Sequence, residues 1–557
     1  EQRRRERNLF ADAAAMLRDA DETTTINPPA DGRFAAAVLD LGQIRTGHMV
    51  LDIAEAAGDE IIDIIYAERL EKDGWPYIAC NPADVCRIAT ADRYRCRPGA
   101  QKWEPFFPKG FRYVGLIFRN VEKPLKIRYI GMRQVQAAVE EQGAFECSDE
   151  LLTRIWSIGR ETLRNCMFDA YVDCPWREQA QWWGDARVQF MVNAYSFGDM
   201  QLFARGIRQL AQSQQPDGAL QSHPPSDSPF EYLPDYMMTW IGSLWDHYFH
   251  TGRTDLLAEC RPVLDKLLAM LARHESDEGF IGGFEGWWVF LDWAPLYKGD
   301  YSAVLNLMYL QALRWAAAIY QVLGDEAAAD VHAQKAGALE AACEKYFYDA
   351  KAKLFRDGFD AAAGKQVEQA SQHVNTLAML LHLKPELNAH LAREVLLKAA
   401  RSKRGKIVTA SPFFYAYILD ALAEAGFRAE CIGLIREKWG EMVGRGATTF
   451  WELWEEKNSL CHAWSASPLY HLSQIILGVT PVDVGWQEVR IAPLPGDLEF
   501  ARGAVPTPLG VIRVEWEKAA EDQLALRLEL PPGMKGEFVS PSGETRSIGP
   551  GRHQLHA

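Results

Sequence analysis

One thirteen-residue segment concentrates side chains that could act on a substrate. It carries three carboxylates, one guanidinium and three tryptophans, in the order Asp173-Cys174-Pro175-Trp176-Arg177-Glu178-Gln179-Ala180-Gln181-Trp182-Trp183-Gly184-Asp185. Because a proline interrupts helices, Pro175 predicts that this segment is a loop. The density of functional groups is unusual for a connector, although a loop held by an Arg177–carboxylate pair and packed on its own rings is the plainer alternative.

A second segment places a carboxylate among aromatic rings. It runs over residues 446–456, where Glu452 lies between Trp451 and Trp454. An apolar, aromatic setting raises the pKa of a carboxyl group or protects a base from water, which is typical of catalytic carboxylates. Glu455 and Glu456 fit a solvated edge instead.

Two carboxylates from distant loops, with aromatic walls, favour glycoside hydrolysis. One group protonates the leaving oxygen, and the other activates water or attacks the anomeric carbon. The sequence contains no HExxH motif and no Cys/His cluster, so a catalytic metal is not expected. It also lacks GxSxG, P-loop and dinucleotide-binding motifs. His223, His373 and His462 are isolated, as loop or core histidines are.

Composition narrows the possible partners. The 557 residues include 75 acidic and 60 basic side chains, a formal charge of −15. Nucleic acids and anionic membranes require a basic surface, so neither is expected as a partner. No run of 18 apolar residues could span a bilayer. The 18 tryptophans fit either aromatic-filled cores or a sugar pocket lined with flat rings.

The periodicity divides the chain into four parts. Residues 1–32 look like a charged helical segment and a linker, and residues 33–142 alternate in short apolar runs that predict an antiparallel β-sandwich. Residues 143–480 have helical periodicity, and residues 481–557 return to strand patterns that predict a second β-sandwich. The predicted fold class is multidomain, with an all-α centre between two β domains.

The helical part predicts twelve helices joined alternately by short glycine turns and long loops. Six such hairpins can close into a double-layered (α/α)6 barrel, with the long loops and the functional site at one end. A helical solenoid is the rival architecture, but no fixed repeat supports it.

Several properties stay open from sequence. The chain begins at Glu1 without Met or an apolar signal core, so we expect a trimmed or processed soluble protein, cytoplasmic or periplasmic. The ten cysteines fit buried thiols, and one bridge among Cys80, Cys86 and Cys96 is a lesser alternative. No cofactor is expected; a structural calcium and the oligomeric state are left open.

The motif at 173–185 resembles the signature of bacterial α-L-rhamnosidases, glycoside hydrolase family 78. The segments GATTFWE at 446–452, FLDWAP at 290–295 and WEPFFPKGFRYV at 103–114 are similar to further family motifs. The resemblance runs from about residue 35 to the C-terminus. It implies an (α/α)6 barrel with a β-sandwich on either side.

The resemblance also implies roles for individual residues. Glu178 matches the general acid and Glu452 the general base, while Asp173 and Asp185 match carboxylates that bind sugar hydroxyls. Arg177 lies in the same motif. Further residues lie in segments that look like pocket walls: Trp183, Trp240, Trp288, Asp292, Trp293, Trp451 and His462. Family members invert configuration, so the two glutamates are expected roughly 6.5–9.5 Å apart.

The leading hypothesis is therefore an exo-acting, inverting hydrolase that releases terminal α-L-rhamnose from glycosides or polysaccharide fragments. A rhamnose–uronate lyase or another exo-glycosidase on the same barrel is the second hypothesis, and an unsaturated product would identify the lyase. A non-catalytic carbohydrate-binding protein would bind sugar without turnover. The chain departs from the family pattern at Gln179-Ala180-Gln181 and at residues 459–464, and both departures concern the aglycone side.

Overall fold

The computed structural model describes residues 9–30, 33–78, 89–226, 232–402, 406–520 and 523–556. These residues form two compact units. The first contains the described residues up to 138, together with segments 164–179 and 456–462. The second contains residues 139–163, the described part of 180–455, and the described part of 463–556.

The first unit is built on one eight-stranded antiparallel sheet. The strand order is β1-β2-β8-β3-β7-β4-β5, and β6 also pairs with β3. The strands are β1 (Phe10–Ala11), β2 (Thr24–Ile26), β3 (Ala35–Glu55), β4 (Ile61–Ala67), β5 (Ala91–Arg95), β6 (Gln101–Trp103), β7 (Lys109–Arg119) and β8 (Leu125–Gln134).

The long strand β3 makes this sheet curve around its own core. Its first half, Ala35–Gly47, pairs with β7, and its second half, Gly47–Glu55, pairs with β8. Alternate residues of the strands point inward and bury a shared apolar core that includes Ile26, Leu51 and Phe111. The alternation of apolar and polar residues along the strands therefore determines which side chains enter this core.

The expectation of a helical N-terminal segment is wrong for residues 9–21. Phe10–Ala11 forms strand β1 against β2, and Ala15–Leu17 forms a single 3-10 turn. Leu9, Phe10 and Met16 pack on the core of the sheet, so burial of apolar side chains overrides the local helix propensity. Residues 1–8 lie outside the described residues.

The described part of the second unit contains twelve helices, in agreement with the sequence prediction. They are α1 (Glu150–Asn165, whose last two residues belong to the first unit), α2 (Trp183–Ser196), α3 (Gln201–Gln212), α4 (Pro234–Thr251), α5 (Asp255–Ala272), α6 (Ala303–Val322), α7 (Glu326–Phe347), α8 (Gln372–Leu380), α9 (388–401), α10 (Tyr415–Glu424), α11 (Arg428–Gly444) and α12 (Pro468–Ile475). Helix α9 is continuous, and its middle, Leu391–Leu397, is wound as a π-helix.

The even-numbered helices form a closed inner ring. Helix α2 contacts α4, and the contacts continue through α6, α8, α10 and α12 back to α2. Odd-numbered helices pack on this ring as a second layer, as α5 does on α4 and α7 on α6. The predicted (α/α)6 barrel is confirmed.

Several short strands lie in the loops between the barrel helices. They are β10 (Tyr301–Ser302), β11 (Tyr348–Asp349), β12 (Leu354–Phe355), β13 (Gly358–Asp360), β14 (Lys365–Gln366), β15 (Ala370–Ser371) and β16 (Ile407–Val408).

Two further sheets complete the second unit, in the order β17-β18-β22-β23 and β24-β21-β20-β19-β9. Most of their pairs are antiparallel, but β18 and β22 run parallel. Strand β9 precedes the barrel in the chain and pairs with β19, a partner that the sequence pattern does not indicate. The strands are β9 (Ala144–Cys147), β17 (Val479–Pro481), β18 (Glu488–Ile491), β19 (Phe500–Thr507), β20 (Gly510–Ala520), β21 (Gln523–Leu530), β22 (Lys535–Val539), β23 (Thr545–Ile548) and β24 (Gly551–His556).

Within the described ranges, no helix is both long enough and apolar enough to cross a bilayer. The eight cysteines within these ranges are buried thiols, whereas Cys80 and Cys86 lie outside them.

Candidate active site

The loop that carries Glu178, residues 166–179, is anchored on the sheet of the first unit. Trp176 Nε1 donates a hydrogen bond to the carbonyl of Tyr66 at the end of β4, at 2.9 Å. Gly110 N at the start of β7 donates to the carbonyl of Pro175, at 2.8 Å. Gln179 Nε2 donates to the carbonyl of Pro108, also at 2.8 Å. We call residues 166–179 the acid loop.

The acid loop approaches the sheet so closely that one position must be glycine. A Cβ atom at Gly110 would lie 2.5 Å from Pro175 Cγ and 2.9 Å from its carbonyl carbon. Such distances are well inside van der Waals contact, so any side chain at residue 110 would push the loop away. The proline that breaks the helix therefore also serves as the loop's contact with β7.

Four of the residues assigned from sequence lie together in the first unit as two pairs. Arg177 Nη1 forms an ion pair with Glu178 Oε1, and both side chains are largely buried. His462 Nε2 lies 3.8 Å from Asp173 Oδ2, and these two side chains are also buried. A guanidinium next to Glu178 orients its carboxyl group through a charge-assisted hydrogen bond.

Glu68, at the end of β4, holds the segment that leads to His462. Its Oε2 accepts a hydrogen bond from Leu460 N at 2.5 Å, and Ser459 Oγ donates to Oε1 at 3.1 Å. Burial raises the pKa of Glu68 to about 8, and the hydrogen bonds and the charges of Arg177 and Arg69 oppose this rise. Arg69 adds a hydrogen bond from Nη1 to the carbonyl of Glu456 at 3.3 Å.

In the second unit, the N-terminal ends of the inner helices meet at one end of the barrel. Tyr236, in the first turn of α4, donates from its hydroxyl to Asp185 Oδ2 in the first turn of α2, at 3.2 Å. Asp235 accepts hydrogen bonds from the backbone N–H groups of Phe290 and Leu291, before α6. Helix N-termini carry partial positive charge, which stabilises carboxylates there.

Asp235 has a perturbed pKa. Burial raises the pKa of Asp235 to about 6, against the opposing effect of its backbone hydrogen bonds. Its carboxylate fixes the turn that leads to Asp292, so its contacts are those of a residue that positions a loop.

Asp292 is fully buried and its carboxylate is surrounded by protein donors. His373 Nε2 is 2.6 Å from Oδ2, and Ser411 contributes its backbone N–H to Oδ2 at 2.9 Å and its hydroxyl to Oδ1. Trp293 N donates to Oδ1 at 2.8 Å. These bonds connect His373 at the start of α8 and Ser411, which precedes α10, to the loop of Trp293, so the contacts of Asp292 are those of a residue that positions this loop.

The loop that carries Glu452 is fixed through its backbone. Thr162 Oγ1 accepts from Phe450 N at 2.9 Å, Ser465 Oγ donates to the carbonyl of Trp451 at 2.6 Å, and Trp464 Nε1 donates to the carbonyl of Glu452 at 3.2 Å. Both Glu452 and Trp451 are buried. We call residues 446–455 the base loop.

Exposed aromatic surface in the second unit centres on two tryptophans. Trp288 and Trp293 are 40% and 47% exposed, and their ring centroids are 6.0 Å apart. Phe290 contacts both rings, at 5.2 and 5.1 Å. Trp182 meets Trp288 edge-on at 6.1 Å and lies against His223 at 4.1 Å. This geometry provides flat apolar surface next to polar groups, as sugar-binding sites do.

Two other tryptophans assigned from sequence lie in the packed interior. Trp183 is fully buried, stacks on Phe203 at 5.4 Å and donates from Nε1 to Ser243 Oγ at 3.0 Å. Trp240 is also fully buried and donates from Nε1 to the carbonyl of Ile207 at 3.0 Å. Both rings are therefore covered by protein in this conformation, and their contacts stabilise the barrel.

Sequence reasoning missed Glu68, Asp235 and Ser411. Asp235 had a local signal, because the pair Pro234-Asp235 begins a helix directly after a long loop. Glu68 and Ser411 had none, since their partners lie far away in the sequence. Among the described residues, no group of three or more His, Cys, Asp or Glu side chains could hold a metal ion.

Three protein-family domains match consecutive segments of the chain. A bacterial alpha-L-rhamnosidase concanavalin-like domain matches residues 33–132, a bacterial alpha-L-rhamnosidase 6 hairpin glycosidase domain matches 140–476, and a bacterial alpha-L-rhamnosidase C-terminal domain matches 478–554.

Individual relatives agree with these matches. An alpha-L-rhamnosidase of Formosa agariphila is 25% identical over 552 residues, covering 92% of this chain and 56% of that protein. The GH78 family rhamnosidase of Bacillus sp. GL1 superposes with a TM-score of 0.86 and 30% identity, covering 95% of this chain and 55% of that one. The alpha-L-rhamnosidase of Streptomyces avermitilis complexed with L-rhamnose, 20% identical over 96% of this chain and 54% of its own, shares the fold with a TM-score of 0.75. The chain thus spans about half the length of these relatives.

Proposed function

Because the chain belongs to the bacterial alpha-L-rhamnosidase family, we propose that it is an exo-acting α-L-rhamnosidase that hydrolyses terminal α-L-rhamnosides with inversion of configuration. Glu178 is the general acid and Glu452 is the general base. The substrate class is a glycoside or polysaccharide fragment that ends in rhamnose.

The proposed reaction is a single displacement. Glu178 donates its proton to the glycosidic oxygen, and the bond from this oxygen to the anomeric carbon breaks. Glu452 takes a proton from a water molecule whose oxygen bonds to the anomeric carbon from the opposite face. The products are β-L-rhamnose and the protonated leaving group, so all atoms and charges balance. The expected separation of the two carboxyl groups stays a prediction.

The observation that carries the proposal is the setting of the two glutamates. Each lies in a loop whose backbone is held by several hydrogen bonds, and both loops fall within the range matched by the six-hairpin glycosidase domain. Asp173 and Asp185 supply acceptors for sugar hydroxyls in this proposal. Trp288 and Trp293 supply flat surface for the sugar's apolar face, including the methyl group of rhamnose.

The experiment is a turnover assay with NMR observation of the first-formed anomer. Purified protein is given a panel of aryl glycosides that differ only in the sugar. We expect cleavage of the α-L-rhamnoside with β-L-rhamnose appearing first. An α-anomer that appears first would overturn the inverting mechanism, release of a different sugar would overturn the specificity, and an unsaturated product would establish a lyase.

A further inference from the structure

Two adjacent phenylalanines project from the loop between β6 and β7 in the first unit. Phe106 is 97% exposed and Phe107 is 74% exposed, the two highest values among the large apolar side chains that the structure describes as exposed. Neither takes part in a ring contact with a described residue. Exposed aromatic pairs are unfavourable in water and mark surfaces that bind something.

The loop that presents this pair is anchored on both sides. Before the pair, Arg133 donates two hydrogen bonds to Glu104 Oε2, and the ring of His48 bonds to the carbonyl of Pro105 at 2.8 Å. After the pair, the carbonyl of Pro108 accepts from Gln179 Nε2. The two prolines that flank the pair also restrict the backbone. The phenylalanines are therefore held out on a fixed loop and are not the tip of a long flexible one.

The hydrogen bond from Gln179 to the carbonyl of Pro108 connects the phenylalanine pair to the proposed general acid, because Gln179 directly follows Glu178. Gly110, two residues after Pro108 at the start of β7, is bonded to the acid loop as well, because its N–H donates to the carbonyl of Pro175. A general acid must reach the glycosidic oxygen, which departs with the leaving group. The leaving group of the substrate consequently lies on the side of the acid loop.

We propose that Phe106 and Phe107 form the binding surface for the leaving group, and that this group presents a flat apolar face. An aryl or polycyclic phenolic aglycone has such a face, and we assign the surface to this kind of leaving group. The inference rests on the proposed α-L-rhamnosidase activity and adds to it a surface that selects the part of the substrate that is released.

The test compares three rhamnosides that share the sugar and differ in the leaving group: 4-methylumbelliferyl rhamnoside, a disaccharide with terminal rhamnose, and methyl rhamnoside. The variants are F106A, F107A and the double variant. We expect kcat/KM of the double variant to fall at least tenfold on the aryl substrate, mainly through KM, and less than twofold on methyl rhamnoside. Leu509→Ala, an exposed apolar side chain in the C-terminal sheets, is the matched control and should change neither value.

The outcomes separate the two proposals. If the wild-type protein cleaves none of the three substrates, the proposed function fails. If it cleaves them and the variants lose activity equally on all three, the pair acts through the position of the acid loop and the inference is overturned. An unchanged ratio between aryl and methyl substrates with full activity also overturns it. A loss confined to the disaccharide overturns the assignment to an aryl leaving group, and a loss on the aryl substrate supports it.

Discussion

The acid loop and the base loop are stabilised by different parts of the chain. The acid loop is hydrogen-bonded to β4 and β7 of the N-terminal sheet, through Tyr66 and Gly110. The base loop is bonded to helix α1 through Thr162, and through Ser465 to the 3-10 turn Ala463–Ala466 that precedes α12. The proposed catalytic acid thus depends on a β domain, whereas the proposed base depends on the helical barrel.

This difference predicts that the N-terminal β domain matters more for the proposed acid than for the proposed base. A barrel alone would retain the base loop with its hydrogen bonds, but it would lose the partners of Trp176, Gln179 and Ser459. The β domain therefore holds the acid loop through tertiary contacts, and its removal should affect Glu178 more than Glu452.

The largest effect is expected from neutralising either glutamate. Glu178→Gln and Glu452→Gln should each lower kcat on an aryl rhamnoside by about 10²–10⁴-fold, because each removes a proton transfer from the transition state. A substrate with a dinitrophenyl leaving group distinguishes the roles of acid and base, because this group departs with little protonation. On this substrate Glu178→Gln should regain activity and Glu452→Gln should not. Equal recovery in both variants would contradict the assigned roles.

The next largest effect concerns the stability of the second unit, which contains the barrel. Asp292→Ala leaves His373 and Ser411 N–H without their acceptor in a dry interior, so the free energy of unfolding should fall by about 3 kcal/mol. Urea titration monitored by tryptophan fluorescence measures the change. Asp277→Ala, at an exposed turn of the same unit, is the control and should stay within about 0.5 kcal/mol of wild type. A similar loss in both variants would remove the special role of Asp292.

A smaller effect, on activity, tests how Glu68 of the first unit holds the segment that leads to His462. Glu68→Ala removes the acceptor of Leu460 N and Ser459 Oγ, so kcat/KM should fall about tenfold, equivalent to about 1.4 kcal/mol. Glu68→Gln keeps one acceptor oxygen and should recover most of this loss. Glu60, buried before the start of β4 and bonded to Ala57 N and Gly58 N, is the matched control. Glu60→Ala should cost stability but leave kcat/KM unchanged.

The pH dependence of stability gives a further test of Glu68. Its pKa is about 8 in the folded protein and about 4.5 when unperturbed, so between these values the folded state holds a proton that the unfolded state releases. Stability should therefore decrease as pH rises from about 4.5 to 8. Asp235, with a pKa near 6, contributes in the same direction. The fall in Tm between pH 5 and 8 should be smaller in Glu68→Gln, and an equal fall would contradict the raised pKa.

The smallest effect probes one hydrogen bond of the base loop. Trp464→Phe removes the donor to the carbonyl of Glu452 but keeps the ring that packs on Phe413 at 5.0 Å. The free energy of unfolding should fall by about 1 kcal/mol, with kcat reduced a few-fold at most. Trp516→Phe removes a comparable donor, to the carbonyl of Ile476, and serves as the control away from Glu452. A kcat loss equal in both variants would mean that the base loop is not specifically positioned by Trp464.

Local patterns in the sequence were sufficient for the fold class and for the family. Period-2 alternation identified β-rich regions, helical periodicity with glycine stops identified twelve helices, and the motif at 173–185 identified the resemblance that the family matches confirm. Local patterns failed at residues 9–21, where packing of Phe10 and Met16 on the sheet decides the conformation. They also missed β9, because a four-residue strand is recognisable only beside its partner β19.

The features of the candidate site also fall into those that the sequence determines and those that only the structure decides. The sequence by itself determined which carboxylates are available and that Pro175 must lie in a loop, because residue type and backbone restriction are properties of single residues. Only the tertiary structure decided that Asp292 is enclosed by His373 and Ser411, that Trp183 and Trp240 are buried, and that Glu68 holds the segment before His462. Hydrogen bonds and burial join residues that are tens to hundreds of positions apart, and no pattern along the chain records such distances.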